Sequence, residues 1–264
     1  MKKILITREP EQAAEFAELL KVRGLEPVLF PVLKIIRPHS WNELEEKIIK
    51  IDEYDTLIFT SANSVHMLFN PFTKRIPRGK LLLKKFCAVG EKTRIAIEKL
   101  GFTVDITPEN YTAKALAEAI FKSEIPIKKA LFLHGNLSKK QIEAELLKGG
   151  VLVDSVEVYK TVPLILEKDD VIKTQEMLSN GEISVVTFFS PSSVENFLKI
   201  IQQEFLKSVA IAAVGTTTES MLLQYGLKAD ILPKDGKFTA DKLAEEIAEF
   251  LKHNPTYGFP PARE

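Results

Sequence analysis

The chain has 264 residues, 45% of them hydrophobic and 27% charged, with 36 basic residues balancing 36 acidic ones. That length suits two domains of roughly 120 residues, and zero net charge removes any global field that would gather nucleic acid or an anionic membrane. The single cysteine excludes an intrachain disulfide and points to a reducing compartment, the cytoplasm.

In chain order, Ile4 to Thr7 is an apolar run that predicts a strand and is too short for a signal-peptide core. Glu11 to Val22 has helical periodicity, Gly24 punctuates it, and Pro27 to Phe30 predicts the next strand. Trp41 reads as a core residue. The run Ile58-Phe59-Thr60 predicts a strand that feeds a helix through Ser61-Ala62-Asn63. Cys87 lies in Phe86-Cys87-Ala88-Val89 and reads as a buried small hydrophobe. A helical pattern then runs to Gly101, followed by the short strand Val104-Asp105-Ile106 and a helix start at Thr112-Ala113, with Tyr111 before it as a packing residue. Leu131 to Leu133 predicts a strand, Lys139 to Leu147 a helix, and Val151 to Val158 a strand after Gly149-Gly150. Thr187 to Phe189 and Ala213-Val214 predict two more strands, each feeding a helix, and the second helix ends at Gly226. Ala229 to Ile231 is a further short strand, and Thr239-Ala240 starts the last helix. Gly24, Gly101, Gly149 and Gly226 are expected to supply left-handed helix caps. Residues 253–264, rich in proline, are expected to form a flexible tail. No run approaches the ~20 apolar residues that span a bilayer.

The chain repeats itself. Thr60-Ser61-Ala62-Asn63-Ser64-Val65 matches Phe189-Ser190-Pro191-Ser192-Ser193-Val194, and Ala88-Val89-Gly90 matches Ala213-Val214-Gly215. Gly101 pairs with Gly226, Asp105 with Asp230 and Thr112-Ala113 with Thr239-Ala240, at separations of 125–129 residues. Several blocks keeping one order and nearly one spacing indicate an internal duplication. Strands alternating with helices imply an α/β fold, a parallel sheet covered on both faces, of the flavodoxin-like, doubly wound kind in each copy.

No Gly-x-Gly-x-x-Gly, Walker A, His-Glu-x-x-His, Cys-x-x-Cys or Gly-x-Ser-x-Gly sequence occurs. Four strand-to-helix turns remain: Thr60-Ser61-Ala62-Asn63, Gly90-Glu91-Lys92-Thr93, Ser190-Pro191-Ser192-Ser193 and Gly215-Thr216-Thr217-Thr218. In a doubly wound sheet such turns lie at the carboxyl ends of strands, where ligands bind. The first N–H groups of a helix lack intrahelical partners and carry the positive end of its dipole, so hydroxyl-rich turns there can hold carboxylates or phosphates without a lysine or arginine. Helix capping alone accounts for the same residue types. The two readings stay open at this point.

At these residues the sequence resembles the uroporphyrinogen-III synthase family. The resemblance is carried by Ile4-Leu5-Ile6-Thr7-Arg8-Glu9, Phe30-Pro31-Val32-Leu33-Lys34-Ile35, Phe59 to Val65, Ala88-Val89-Gly90, Val158-Tyr159-Lys160-Thr161, Phe189 to Val194 and Ala213 to Thr218. No single motif is specific; the ordered set is. It implies two flavodoxin-like domains joined by a two-stranded β connection, with residues 1–35 and 164–252 forming domain 1 and residues 37–158 forming domain 2. The crossing strands would be Pro31 to Ile36 and Val156 to Pro163.

The family's reaction closes the linear tetrapyrrole hydroxymethylbilane to uroporphyrinogen III with inversion of ring D and loss of water. The resemblance implies a lyase of haem biosynthesis with no metal and no organic cofactor, a cytoplasmic monomer with neither nucleic acid nor membrane as partner. It makes Tyr159 the candidate general acid. Substrate carboxylates would meet Arg8, Thr60, Ser61, Asn63, Gly90, Thr93, Ser190, Ser192, Ser193, Gly215, Thr217 and Thr218. Lys160 is a further candidate, and His134 departs from the family's Arg-Gly at that strand end. The alternative is a non-enzymatic two-lobed anion-binding sensor, which two lobes around a cleft would serve equally.

Overall fold

The computed structural model describes residues 1–72, 78–108, 112–123, 125–138, 141–234, 238–255 and 257. Strand β1 (Lys3–Ile6), helix α1 (Pro10–Lys21), β2 (Glu26–Leu29), β3 (Leu33–Ile36), α2 (Asn42–Ile49), β4 (Thr56–Phe59) and α3 (Ala62–Phe72) come first. Then follow α4 (Arg78–Leu82), β5 (Lys85–Ala88), α5 (Glu91–Lys99), α6 (Ala113–Lys122), β6 (Lys129–Gly135), α7 (Gln141–Lys148) and β7 (Leu152–Pro163). The remainder is α8 (Lys168–Ser179), β8 (Ile183–Phe188), α9 (Pro191–Ile200), β9 (Ala210–Ala213), α10 (Thr216–Gln224) and α11 (Ala240–His253). This is an α/β fold with parallel sheets. Among the described residues no helix is long and apolar enough to cross a membrane.

The chain divides into two compact units: residues 1–34 with 162–264, and residues 35–161. Both divisions fall inside strands, β3 and β7.

The first unit holds the sheet β2-β1-β8-β9, with every neighbouring pair parallel. Burial explains the unbroken apolar runs. Leu5, Val186 and Phe188 face one core, while Ile4, Ile6 and Val185 face another on the opposite side. Two buried threonines are tolerated because each uses its hydroxyl on the neighbouring strand. Thr7 Oγ1 donates to the Thr187 carbonyl at 2.7 Å, and Thr187 Oγ1 to the Leu5 carbonyl at 2.9 Å.

The second unit holds the sheet β3-β7-β6-β4-β5. Here β4 is parallel to both β5 and β6, and β6 is parallel to β7. Leu57, Phe59, Leu131 and Leu133 fill one face; Ile58, Ala130 and Phe132 fill the other. Cys87 is fully buried in this second core, and burial pushes its thiol well above the ordinary range, so it packs and does not react. Trp41 lies partly buried against the first core.

The short strands expected at 104–106 and 229–231 are reduced to single bridges, Cys87 with Ile106 and Ala212 with Ile231. Both stay in place because an aspartate one residue earlier accepts a backbone N–H from the neighbouring strand. Asp105 Oδ2 takes Phe86 N–H at 2.9 Å, and Asp230 Oδ2 takes Ile211 N–H at 2.8 Å.

Two expectations need correction. Gly24, Gly101 and Gly226 do end helices with positive φ, but after α7 it is Gly150, φ 78°, and not Gly149. Gly149 is glycine for another reason: a Cβ there would lie 2.1 Å from the Phe121 ring. The tail expected at 253–264 is not free where it is described. His253 is the last residue of α11, the Tyr257 ring packs 5.4 Å from that of Phe250, and Lys2 Nζ donates to the Pro255 carbonyl at 2.7 Å and to that of Tyr257. The rest of the expected tail, 256 and 258–264, lies outside the described residues, as does Tyr111.

Candidate active site

In the second unit the carboxyl ends of β4, β5 and β6 share one edge of the sheet. The turn after β4 is an N-cap. Ser64 N–H donates to Ser61 Oγ at 3.1 Å, and Ser64 Oγ donates back to the Ser61 carbonyl at 2.7 Å. This satisfies an orphan donor of α3. Ser61 Oγ also donates to Tyr159 Oη at 3.0 Å. Thr60 and Asn63 flank it, both half-buried.

Tyr159 is half-buried against the first core. Burial raises its pKa, and the Ser61 hydrogen bond pulls the other way. At neutral pH the phenol therefore keeps its proton.

Two neighbours place the ring. A register shift between His134 and Gly135 puts Gly135 opposite Tyr159. A Cβ on Gly135 would sit 2.3 Å from Tyr159 Cζ, so only glycine leaves room for the ring there. Asn136 then grips the strand from outside the ladder. Its N–H donates to the Tyr159 carbonyl at 3.2 Å, its Nδ2 to the Thr161 carbonyl at 3.1 Å, and its Oδ1 accepts Thr161 N–H at 2.8 Å. Asn136 was not among the expected site residues. Its signal is faint, an asparagine at a strand end, and its partner is 25 residues away.

At the turn after β5, Gly90 has φ 92°, a conformation side chains resist. Thr93 is buried, and its Oγ1 donates to the Val89 carbonyl at 2.9 Å. Its hydroxyl thus braces the turn from the core side. Lys160 Nζ lies 3.6 Å from Glu157 Oε1. The His134 ring stacks on Phe132 at 4.8 Å, with Nδ1 2.9 Å from the Gly135 carbonyl.

In the first unit the turn after β8 is a reciprocal capping box. Ser193 N–H donates to Ser190 Oγ and Ser190 N–H to Ser193 Oγ, both at 3.2 Å. Ser190 Oγ and Ser192 Oγ are 3.0 Å apart. Arg8, after β1, is half-buried, with its guanidinium 4.5 Å from the Phe189 ring centroid and Nε donating to Gln12 Oε1 at 2.7 Å. Burial lowers its pKa, yet a guanidinium stays charged at any ordinary pH. After β9, Gly215 is extended, Thr218 is buried with its N–H donating to the Gly215 carbonyl at 3.1 Å, and Thr217 is exposed.

The profile of the family described as uroporphyrinogen-III synthase HemD matches residues 14–245. The chain belongs to the uroporphyrinogen-III synthase family. Uroporphyrinogen-III synthase of Chlorobaculum parvum is 33% identical over 255 residues, covering 96% of this chain and all of that one. The protein of that name from Synechococcus elongatus is 27% identical over 226 residues, covering 82% and 84%. A mutant uroporphyrinogen III synthase from Thermus thermophilus shares the fold with a TM-score of 0.65 at 18% identity, over 96% of this chain and all of that chain. The Helicobacter pylori uroporphyrinogen-III synthetase does so with 0.63 at 18%, over 95% and 100%.

Of the residues that the family resemblance nominated, the structure joins Ser61 with Tyr159, and Ser190 with Ser192 and Ser193. Thr93 and Thr218 sit in their turns facing the core. Among the described residues no group of three or more His, Cys, Asp or Glu side chains converges as metal ligands.

Proposed function

We propose that this chain closes hydroxymethylbilane to uroporphyrinogen III, inverting ring D with loss of water, as a cofactor-independent lyase of haem biosynthesis. The observation that carries the reading is the match of residues 14–245 to the family, supported by relatives of that name aligned over nearly the whole chain. The sensor alternative gains nothing from these relatives. A cytoplasmic monomer acting on a linear tetrapyrrole alone completes the proposal.

Each unit is read as a flavodoxin-like copy. With the bridge at Ile231, the first has the order β2-β1-β8-β9 plus one, the 2-1-3-4-5 pattern. With the bridge at Ile106, β7-β6-β4-β5 plus one repeats that pattern in the second, started from β6. The matched sequence blocks fall on matched elements, which supports duplication.

The chemistry follows from the residues. Hydroxide is a poor leaving group, so the hydroxymethyl oxygen must gain a proton as its bond to carbon breaks. Tyr159 supplies that proton and the oxygen departs as water. Ring D attacks the resulting azafulvene cation through its substituted α-carbon, the spiro intermediate breaks and re-forms with ring D inverted, and the proton then lost from the ring carbon returns to the Tyr159 phenolate. Such a general acid contributes roughly 10²–10⁴-fold. The helix-opening turns at Ser61, Gly90, Ser190 and Gly215, with Arg8, take the carboxylates through their backbone N–H groups. Thr60, Asn63, Ser192, Ser193 and Thr217 border them; Thr93 and Thr218 hold the turns in shape. Incubating purified protein with hydroxymethylbilane tests the reading. Excess of the III isomer over the spontaneous I isomer is expected, and an unchanged isomer ratio overturns it.

A further inference from the structure

The turns after β4 and β8 share one cap, but only the first hands a hydroxyl proton to a residue outside its own turn. We propose that Ser61 is a positioning residue for the reaction: by donating its hydroxyl proton to Tyr159 Oη it points the phenol proton away from the turn and readies it for transfer. This rests on the reading of Tyr159 as the acid.

The hydrogen-bond geometry favours that direction. Ser64 Oγ spends its proton on the Ser61 carbonyl at 2.7 Å, and Ser61 Oγ already accepts Ser64 N–H at 3.1 Å. The Ser61 proton then has two acceptors in reach, Tyr159 Oη at 3.0 Å and Ser64 Oγ at 3.4 Å, and the shorter bond wins. A phenol oxygen that accepts keeps its own O–H for another partner. Accepting also stabilises the phenolate that forms as the proton leaves. The effect opposes burial, which otherwise makes the buried phenol a weaker acid.

The packing leaves the ring little choice. Gly135 lies against its face, and Asn136 anchors the backbone on either side of Lys160, so Oη is delivered to Ser61 by contacts that do not involve Ser61. Titratable groups on the surrounding elements are Asp154, Glu157 and Lys160 on β7, Lys129 and His134 on β6 and His66 on α3, with Asp154 and Lys129 at the opposite end of their strands from Tyr159. Glu157 and Lys160 pair with each other, and burial and Ser61 are what move the phenol.

The test separates cap from coupling. The Tyr159 titration is read as the ultraviolet tyrosinate difference between each protein and the same protein carrying Tyr159→Phe. Ser61→Ala should raise the Tyr159 midpoint by about half a pH unit or more and lower kcat several-fold with little change in KM. Ser61→Thr should restore both. Ser61→Asp keeps a strong N-cap but can only accept, so it should raise the midpoint further and lower kcat. Ser190→Ala loses an equivalent cap and should leave the Tyr159 midpoint where it was. An unmoved midpoint in Ser61→Ala overturns the proposal and leaves Ser61 a cap. Full turnover in Tyr159→Phe overturns the acid reading, whatever the titration shows.

Discussion

The turns opened by Ser61 and Ser190 are related in sequence and share their capping bonds, yet they end differently. In each, a serine caps the following helix and the serine three residues on returns its hydroxyl to the first carbonyl, at 2.7 Å in both. Ser190 Oγ then turns to Ser192 within its own turn, whereas Ser61 Oγ reaches Tyr159 at 98 residues' distance. Position 62 is alanine where position 191 is proline, and position 63 is asparagine where 192 is serine. The first turn lacks a local hydroxyl partner of the Ser192 kind. A small change in one copy of a cap therefore goes with a hydroxyl that bonds outside its own turn, while the other copy keeps its hydroxyls at home.

The strongest way to break that comparison is to move the ring without touching the turn. Gly135→Ala would put a methyl 2.3 Å from Tyr159 Cζ. We expect a loss of about 1–3 kcal/mol in urea unfolding from overpacking, and a fall in kcat of about 10²-fold from misplacement. Gly149→Ala creates an equally close contact with Phe121, but that ring is 45% exposed and can swing into solvent. It should cost less stability and leave the isomer ratio and kcat as they were. Equal kcat losses in the two variants would show that Gly135 matters only for folding.

Tyr159→Phe comes next. It removes one oxygen, keeps the ring against Gly135 and the first core, and leaves Ser61 its bond with Ser64. Turnover should fall by about 10²-fold, the lower end of what a general acid supplies, measured as uroporphyrinogen III formed, with stability nearly unchanged.

Capping predicts a smaller, symmetric effect. Ser61→Ala and Ser190→Ala should each cost about 1 kcal/mol in urea unfolding. A much larger loss at Ser61 would mean that the Tyr159 bond supports the fold and is not held in reserve for catalysis.

How much of this was legible follows from the range of each interaction. Strands read as apolar runs because both sheet faces are buried, and the helix caps at Ser61, Ser190, Thr112 and Thr239 read from local chemistry within three residues. The repeat made matched turns visible. Local rules misplaced the cap after α7, because Gly149 and Gly150 look alike until the Phe121 ring is seen beside one of them. They also missed that Pro255 and Tyr257 are held, since the lysine that bonds their carbonyls is Lys2, at the other end of the chain. The Tyr159 setting was half legible. The family resemblance pointed to the tyrosine, but the glycine and asparagine that orient it act across a strand pair whose register shifts by a residue, which no sequence period reports.

The smallest expected effect is in alkaline stability, and its sign follows from burial. A phenol titrates near pH 10 in an unfolded chain. Tyr159 in the folded protein holds its proton to higher pH, chiefly because burial disfavours the phenolate. Below the ordinary value both states are protonated and pH has no leverage. Above it the unfolded chain sheds a proton that the folded one retains, so stability falls as pH rises toward the folded value. Tyr54 adds to the same slope: its pKa is raised by burial and by the bond its Oη donates to Asp154 Oδ2 at 2.7 Å. Urea midpoints measured from about pH 9 to pH 11 should therefore decline less steeply in Tyr159→Phe than in the parent protein. Ser61→Ala should extend the decline to higher pH, because it removes the one influence that lowers the Tyr159 value. Ser190→Ala should shift the whole curve down without changing its shape. If the two serine variants gave parallel curves, the two turns would be equivalent after all, and the reach of Ser61 to Tyr159 would carry no energy.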